Sequence, residues 1–144
     1  MDSFAYYISA LRKDFLDYCT KRLSEFDVTY GQLFVLIYIS KRDRCTPKEI
    51  TENMGLDAGY LNRMLGKFIE KKFILYEKSE IDKRVNIISL TEDGKKIVQV
   101  SRQCFVEWDQ KVLAELEEDK KQDLLKLMKQ IVLQLDVNGG RKYE

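Results

Sequence analysis

Apolar positions recur at near-helical spacing over residues 4–23, where Phe4, Ile8, Leu11, Phe15, Tyr18 and Leu23 form one stripe. Thr29-Tyr30-Gly31-Gln32 then reads as a capping box, with a hydroxyl at the N-cap and an amide three residues on. The helix it opens runs to about Ser40 and is apolar nearly all round, which predicts a buried central element. Thr46-Pro47-Lys48-Glu49 is a second capping box, with proline at the first helical position, where its missing N–H costs nothing. Gly55 suits the left-handed residue that ends this helix, and Asp57 suits the N-cap of the next. In that next helix Leu61, Met64, Leu65, Phe68 and Ile69 share one face, opposite Gly59, Tyr60, Asn62, Arg63, Gly66, Lys67 and Glu70. The polar face lacks the i, i+4 Glu–Lys ladder of a solvating helix. Its N-terminal end carries small residues, as where a backbone comes close to something. Gly66 costs about 1 kcal/mol relative to alanine in mid-helix, and close approach to a neighbouring backbone is its expected reason.

The period then shortens. Residues 73–78 and 85–90 are rich in Ile, Val, Tyr and Phe and predict two strands flanking the charged tip at residues 78–84. Thr91-Glu92-Asp93 caps a helix expected to run from about Glu92 to Leu116, with an apolar stripe of Ile97, Val100, Ser101, Cys104, Trp108 and Val112. A last helix, about 119–135, carries Leu124, Leu127, Met128, Ile131 and Leu135, and the tail from Asn138 is expected to fray. Helix, glycine-containing turn, helix and basic hairpin is the order that places one helix in a DNA major groove and a hairpin beside it.

Composition narrows the chemistry. The chain holds 144 residues and no histidine. That removes the commonest zinc ligand and general base, so no metal, cofactor or enzyme chemistry is expected. The longest apolar run, Leu33 to Ile39, is too short to span a bilayer, and charges interrupt any signal-like pattern at the N-terminus. Cys19, Cys45 and Cys104 are odd in number and widely spaced, which fits a reducing cytoplasm better than a disulfide framework. Net charge is only +1, but residues 58–84 hold seven basic and four acidic side chains, so a local excess of +3 sits on the suspected segment.

These residues resemble the MarR family of bacterial winged-helix regulators from about Leu11 to Leu135. Asp82-Lys83-Arg84, followed by Ser89-Leu90-Thr91-Glu92-Asp93-Gly94, is similar to the family's D-x-R wing motif leading into its LT-x-x-G helix start. Val28-Thr29-Tyr30-Gly31-Gln32 and Leu56-Asp57-Ala58-Gly59-Tyr60-Leu61-Asn62-Arg63 support the resemblance in order and spacing. It implies a mostly α, α+β winged helix of about six helices and a two-stranded wing. It also implies a single domain over 1–144, with a lobe at about 29–91 and dimerisation helices at about 1–27 and 92–137. The wide apolar stripes of the first and last two helices, with Phe4, Tyr7, Phe15, Phe105, Trp108, Leu124 and Ile131, independently suggest a homodimer. Packing within one chain is the alternative.

The expected function is a sequence-specific regulator, a repressor by class, binding a pseudo-palindromic double-stranded DNA operator. Asp57, Ala58, Gly59, Tyr60, Asn62, Arg63, Lys67, Lys83 and Arg84 are the candidate DNA-binding residues. Tyr60, Asn62 and Arg63 are placed for base edges, Lys67 for phosphate, and Arg84 for the minor groove. Asp82 orients Arg84. Gly59 stands where the family often has a small hydroxyl residue. The resemblance also implies an aromatic or amphipathic effector, for which Tyr7, Phe15, Tyr30, Tyr38 and Trp108 are candidate lining residues. Two other functions are alternatives: a protein-interaction module that has lost DNA binding, and a thiol redox sensor through Cys19.

Overall fold

In a computed structural model, residues 2–139 are described, with side chains to residue 135. Six α-helices and one hairpin follow in order: α1 (Phe4–Leu23), α2 (Tyr30–Arg42), α3 (Pro47–Met54), α4 (Ala58–Glu70), β1 (Ile74–Lys78), β2 (Asn86–Leu90), α5 (Glu92–Val112) and α6 (Glu118–Gly139). A short 3-10 turn, Ser24–Phe26, links α1 to α2. This is the mostly α fold with a small β-wing that the residue pattern predicted. The chain divides into two compact units, Met1–Val106 and Glu107–Glu144, the division falling within α5.

Both expected capping boxes form. Thr29 accepts from the Gln32 amide while the Gln32 side chain accepts from Thr29 N–H, and Thr46 and Glu49 do the same for α3. Each box satisfies two donors that a helix start otherwise leaves unpaired. Leu33, Val35, Leu36 and Ile39 are buried, so α2 is the central element its composition predicted. The core of the first unit gathers Leu23, Ile50, Leu61, Phe68, Ile88 and Ile97 around it.

The hairpin pairs antiparallel with Ile74 opposite Leu90 and Lys78 opposite Asn86. Cys45 adds a bridge to Ile88, accepting and donating one bond on the far edge of β2. This bridge is not legible in the sequence, because the segment between α2 and α3 is too short to read as a strand. The turn into that bridge is tight. Asp43 has φ 64° and ψ −52°, and the Arg44 amide donates to Arg42 O across it.

The junction of α4, β1 and α5 explains the LT-x-x-G sequence. Lys72 takes a left-handed φ of 60°, the Phe73 amide donates to Phe68 O, and the Lys72 amide donates to Ile69 O. This is a Schellman ending, completed by the contact of the Phe68 and Phe73 rings at 6.4 Å. Thr91 then donates its hydroxyl to Lys72 O and accepts from the Gly94 amide, while its own amide donates to Phe73 O. A Cβ on Gly94 would lie 2.2 Å from Phe73 O. The start of α5 is therefore seated directly on the turn that ends α4, and only glycine permits that approach.

Two boundaries differ from expectation. Helix α5 ends at Val112 rather than about Leu116, with the Leu116 amide donating to Leu113 O in the turn beyond. Helix α6 continues through Gly139 instead of ending near Leu135. Of the tail expected to fray, Asn138 and Gly139 are helical, and Gly140 to Glu144 lie outside the described residues. No helix among the described residues is long and apolar enough to cross a membrane.

Candidate nucleic-acid interface

The rotation of α4 is fixed by what it buries. Leu61, Met64, Leu65 and Phe68 face the core, and this turns Gly59, Tyr60, Asn62, Arg63, Gly66 and Lys67 to solvent. Gly55, with φ +64°, turns the chain between α3 and α4, and the Leu56 amide closes the turn on Thr51 O. Asp57 caps α4 by accepting from the Tyr60 amide at 2.9 Å. Pro47, Lys48, Thr51, Ala58, Leu61 and Asn62 line a shallow hollow of about 320 Å³ where α3 and α4 meet. Asn62 thus stands at the edge of this hollow, on the exposed side of the helix.

Arg63 lies back along its helix. A Cβ on Gly59 would sit 3.5 Å from Arg63 Nη1 and 3.1 Å from Asp57 Oδ2. A Cβ there would be in ordinary contact with the guanidinium and would crowd only the capping carboxylate. Tyr60 is half exposed, and its hydroxyl lies beside Gly31 at the start of α2, 3.7 Å from where a Cβ there would be. Two features of this helix differ from expectation. Ile69 is 44% exposed rather than part of the buried face, because it belongs to the last turn, where Phe68 and Phe73 already close the core. A Cβ on Gly66 would meet nothing within 4 Å, so the expected close approach of a neighbouring backbone is not present in this chain.

The wing tip is built by short-range bonds. Ser79 N–H donates to Val85 O, Val85 N–H donates to Asp82 O, and the Ser79 hydroxyl oxygen accepts from the amides of Ile81 and Asp82. Asp82 grips Arg84 with both oxygens, Oδ1 to Nε and Oδ2 to Nη2 at 3.1 Å each, and also accepts the Arg84 amide. The Arg84 side chain remains 90% exposed. These bonds to Arg84 hold the Asp82 carboxyl below its ordinary pKa. Lys83 is exposed beside them. Lys71 is turned the other way, donating to the carbonyl and carboxylate of Asp27. It therefore contributes to the local basic excess without facing the same surface.

The five candidate effector residues are spread. Phe15 and Tyr30 are in edge contact at 5.8 Å, with Phe105 against Phe15 and Phe34 against Tyr30. Tyr7 is half exposed and donates to Asp2. Tyr38 accepts from Asn53 and lies beneath Arg42. Trp108 belongs to the second unit. Cys19 and Cys104 are fully buried, and burial first, then the neighbouring Cys104, push the Cys19 thiol up to about 11. Among the described residues no group of three or more His, Cys, Asp or Glu is placed to hold a metal.

The sequence-family model for the transcriptional regulator SarA/Rot matches residues 18–100, a span holding α2 to β2 and the first part of the α5 that follows. The chain belongs to this family of transcriptional regulators. It is 35% identical over 129 residues to the HTH-type transcriptional regulator BilQ of Clostridium symbiosum, covering 90% of each chain. It is 33% identical over 110 residues to SarZ of Staphylococcus aureus, covering 74% of this chain and 73% of SarZ. Among solved structures, reduced MarR from E. coli superposes with a TM-score of 0.78 at 26% identity, covering 91% of this chain and 97% of MarR. A mutant E. coli MarR complexed with operator DNA matches at 0.68 and 26%, covering 88% and 91%. The chain is therefore a MarR-type winged-helix regulator and not an enzyme.

Proposed function

We propose that this regulator binds a pseudo-palindromic DNA duplex as a homodimer and acts as a repressor. The observation that carries the reading is the exposed face of α4 standing beside a wing whose arginine is held by Asp82 and left free to meet a ligand. Asn62 and Arg63 are the base-reading side chains, since asparagine matches adenine and arginine matches guanine in the major groove. Tyr60 contacts the groove through its ring edge. Asp57 holds the helix start, and Ala58 and Gly59 keep it slim enough for close approach. Lys67 and Lys83 meet phosphate, which fixes position without specifying sequence. Arg84 enters the minor groove, where A·T tracts concentrate negative potential. The operator-bound MarR relative supports duplex DNA as the ligand.

Dimerisation is supported by apolar surface. Phe4, Tyr7 and Leu11 of α1 are exposed, as are Leu124, Leu127, Ile131 and Leu135 of α6. Helical stripes of this width call for a partner surface, and a second copy supplies one in a permanent interface. A small aromatic or amphipathic effector would act near Phe15 and Tyr30, the two candidates in direct contact, by binding the lobe spacing that does not fit the operator. Selection from a randomised duplex pool tests the function. The expected product is a family of inverted repeats with half-site centres about 10–10.5 bp apart. Recovery of no common sequence would contradict it and favour an interaction module.

A further inference from the structure

At the tip of the wing Ile81 is 99% exposed, an aliphatic side chain among Lys78, Glu80, Lys83 and Arg84. Its placement is set in advance. The Ser79 hydroxyl holds the amides of Ile81 and of Asp82, and Asp82 in turn grips Arg84. One rigid tip therefore presents an apolar side chain and a guanidinium a few residues apart. Solvent gives no reason for an isoleucine here, since tip positions of hairpins favour Gly, Asn, Asp and Ser.

We propose that Ile81 is a second minor-groove contact of the wing, packing on the deoxyribose walls and base edges beside the step that Arg84 enters. The inference rests on the DNA-binding reading above and adds to it. The narrow groove of an A·T tract suits both groups, because its potential attracts the cation and its sugar walls are apolar. Aliphatic side chains also wedge against base steps in minor-groove binders. The backbone bonds that fix Ile81 reduce the ordering cost of such a contact. The contact is uncharged, so it favours deformable or narrow-groove sequence without releasing counterions.

That last property makes the test specific. Fluorescence anisotropy is measured on the full chain, its Ile81→Ser variant and its Arg84→Ala variant. The probe is the tightest duplex recovered by the wild type from a randomised pool, and the salt concentration is varied. Ile81→Ser is expected to lower affinity on the order of tenfold, as loss of part of an isoleucine contact on each of two wings would. Its slope of log affinity against log salt should equal the wild type's. Arg84→Ala should lower affinity with a shallower slope. An Ile81→Ser variant that binds like wild type while Arg84→Ala is weakened would overturn the inference and leave the wing reading intact. Weaker binding of Ile81→Ser with a shallower slope would also overturn it, because that is the signature of a displaced cation. A wild type that prefers no duplex would remove the DNA-binding reading, and Ile81 with it.

Discussion

Lys72 shows how much one residue's backbone decides. It sits at φ 60° in the Schellman ending of α4, where glycine is the usual occupant. A side chain in that region costs about 1–2 kcal/mol, partly offset by the extra freedom glycine gains when unfolded. Lys72→Gly should therefore raise stability by about 0.5–1 kcal/mol, read from the urea midpoint, and an unchanged or lower midpoint would contradict the assigned geometry. Cys19 is the second residue-scale case. With its thiol raised to about 11 and fully buried, iodoacetamide should modify it far more slowly than an unfolded cysteine at pH 8. The sign is that of a group whose neutral form the fold favours: its stabilising effect is complete below the unfolded pKa, near 9, and is lost as pH rises through about 11. Rapid modification at pH 8 would revive the redox-sensor reading through Cys19. Asp82 stands two residues before Arg84, and the three bonds between them are short-range contacts of the kind a sequence can suggest. The reason expected for Gly66 is one the folded chain does not contain, because a sequence position does not reveal what lies across from it.

At the scale of elements, helix starts were the most legible features. Thr29-x-x-Gln32 and Thr46-Pro47-x-Glu49 act through bonds three residues long, so the pattern contains the whole interaction. The same holds for the face of α4, where 3.6-residue spacing separates Leu61, Met64, Leu65 and Phe68 from Asn62, Arg63 and Lys67. Interactions that cross sequence were not legible. The Cys45–Ile88 bridge joins residues 43 positions apart, and the Lys71–Asp27 link joins residues 44 apart. Gly94 lies between these cases. Its place in the helix start was visible, while its reason, the carbonyl of Phe73, appeared only in the fold. Gly94→Ala should destabilise the protein by about 2–3 kcal/mol despite alanine's better helix propensity, because a rigid backbone carbonyl must move. A urea transition within about 0.5 kcal/mol of wild type would show that α5 is not seated on that turn.

For the whole molecule, α6 is the informative part. Of its expected stripe of Leu124, Leu127, Met128, Ile131 and Leu135, all but the half-buried Met128 are exposed in the single chain. Leu127→Glu changes a side chain that is 58% exposed there, so a monomer would tolerate it. In the proposed dimer it would bury an unpaired carboxylate at the interface. Light scattering should show the wild type at twice the 17.0 kDa chain mass and the variant shifted toward a single chain. A variant that stays dimeric would move the interface away from this face of α6.

In the proposed function α4 and the wing together read duplex DNA. The most direct test is the affinity of the wild-type protein for its selected inverted-repeat duplex against a scrambled duplex of equal length, by anisotropy from about 50 to 200 mM salt. Preference for the selected duplex by about a thousandfold or more is expected, with affinity falling steeply as salt rises. Equal affinity for both duplexes would contradict it.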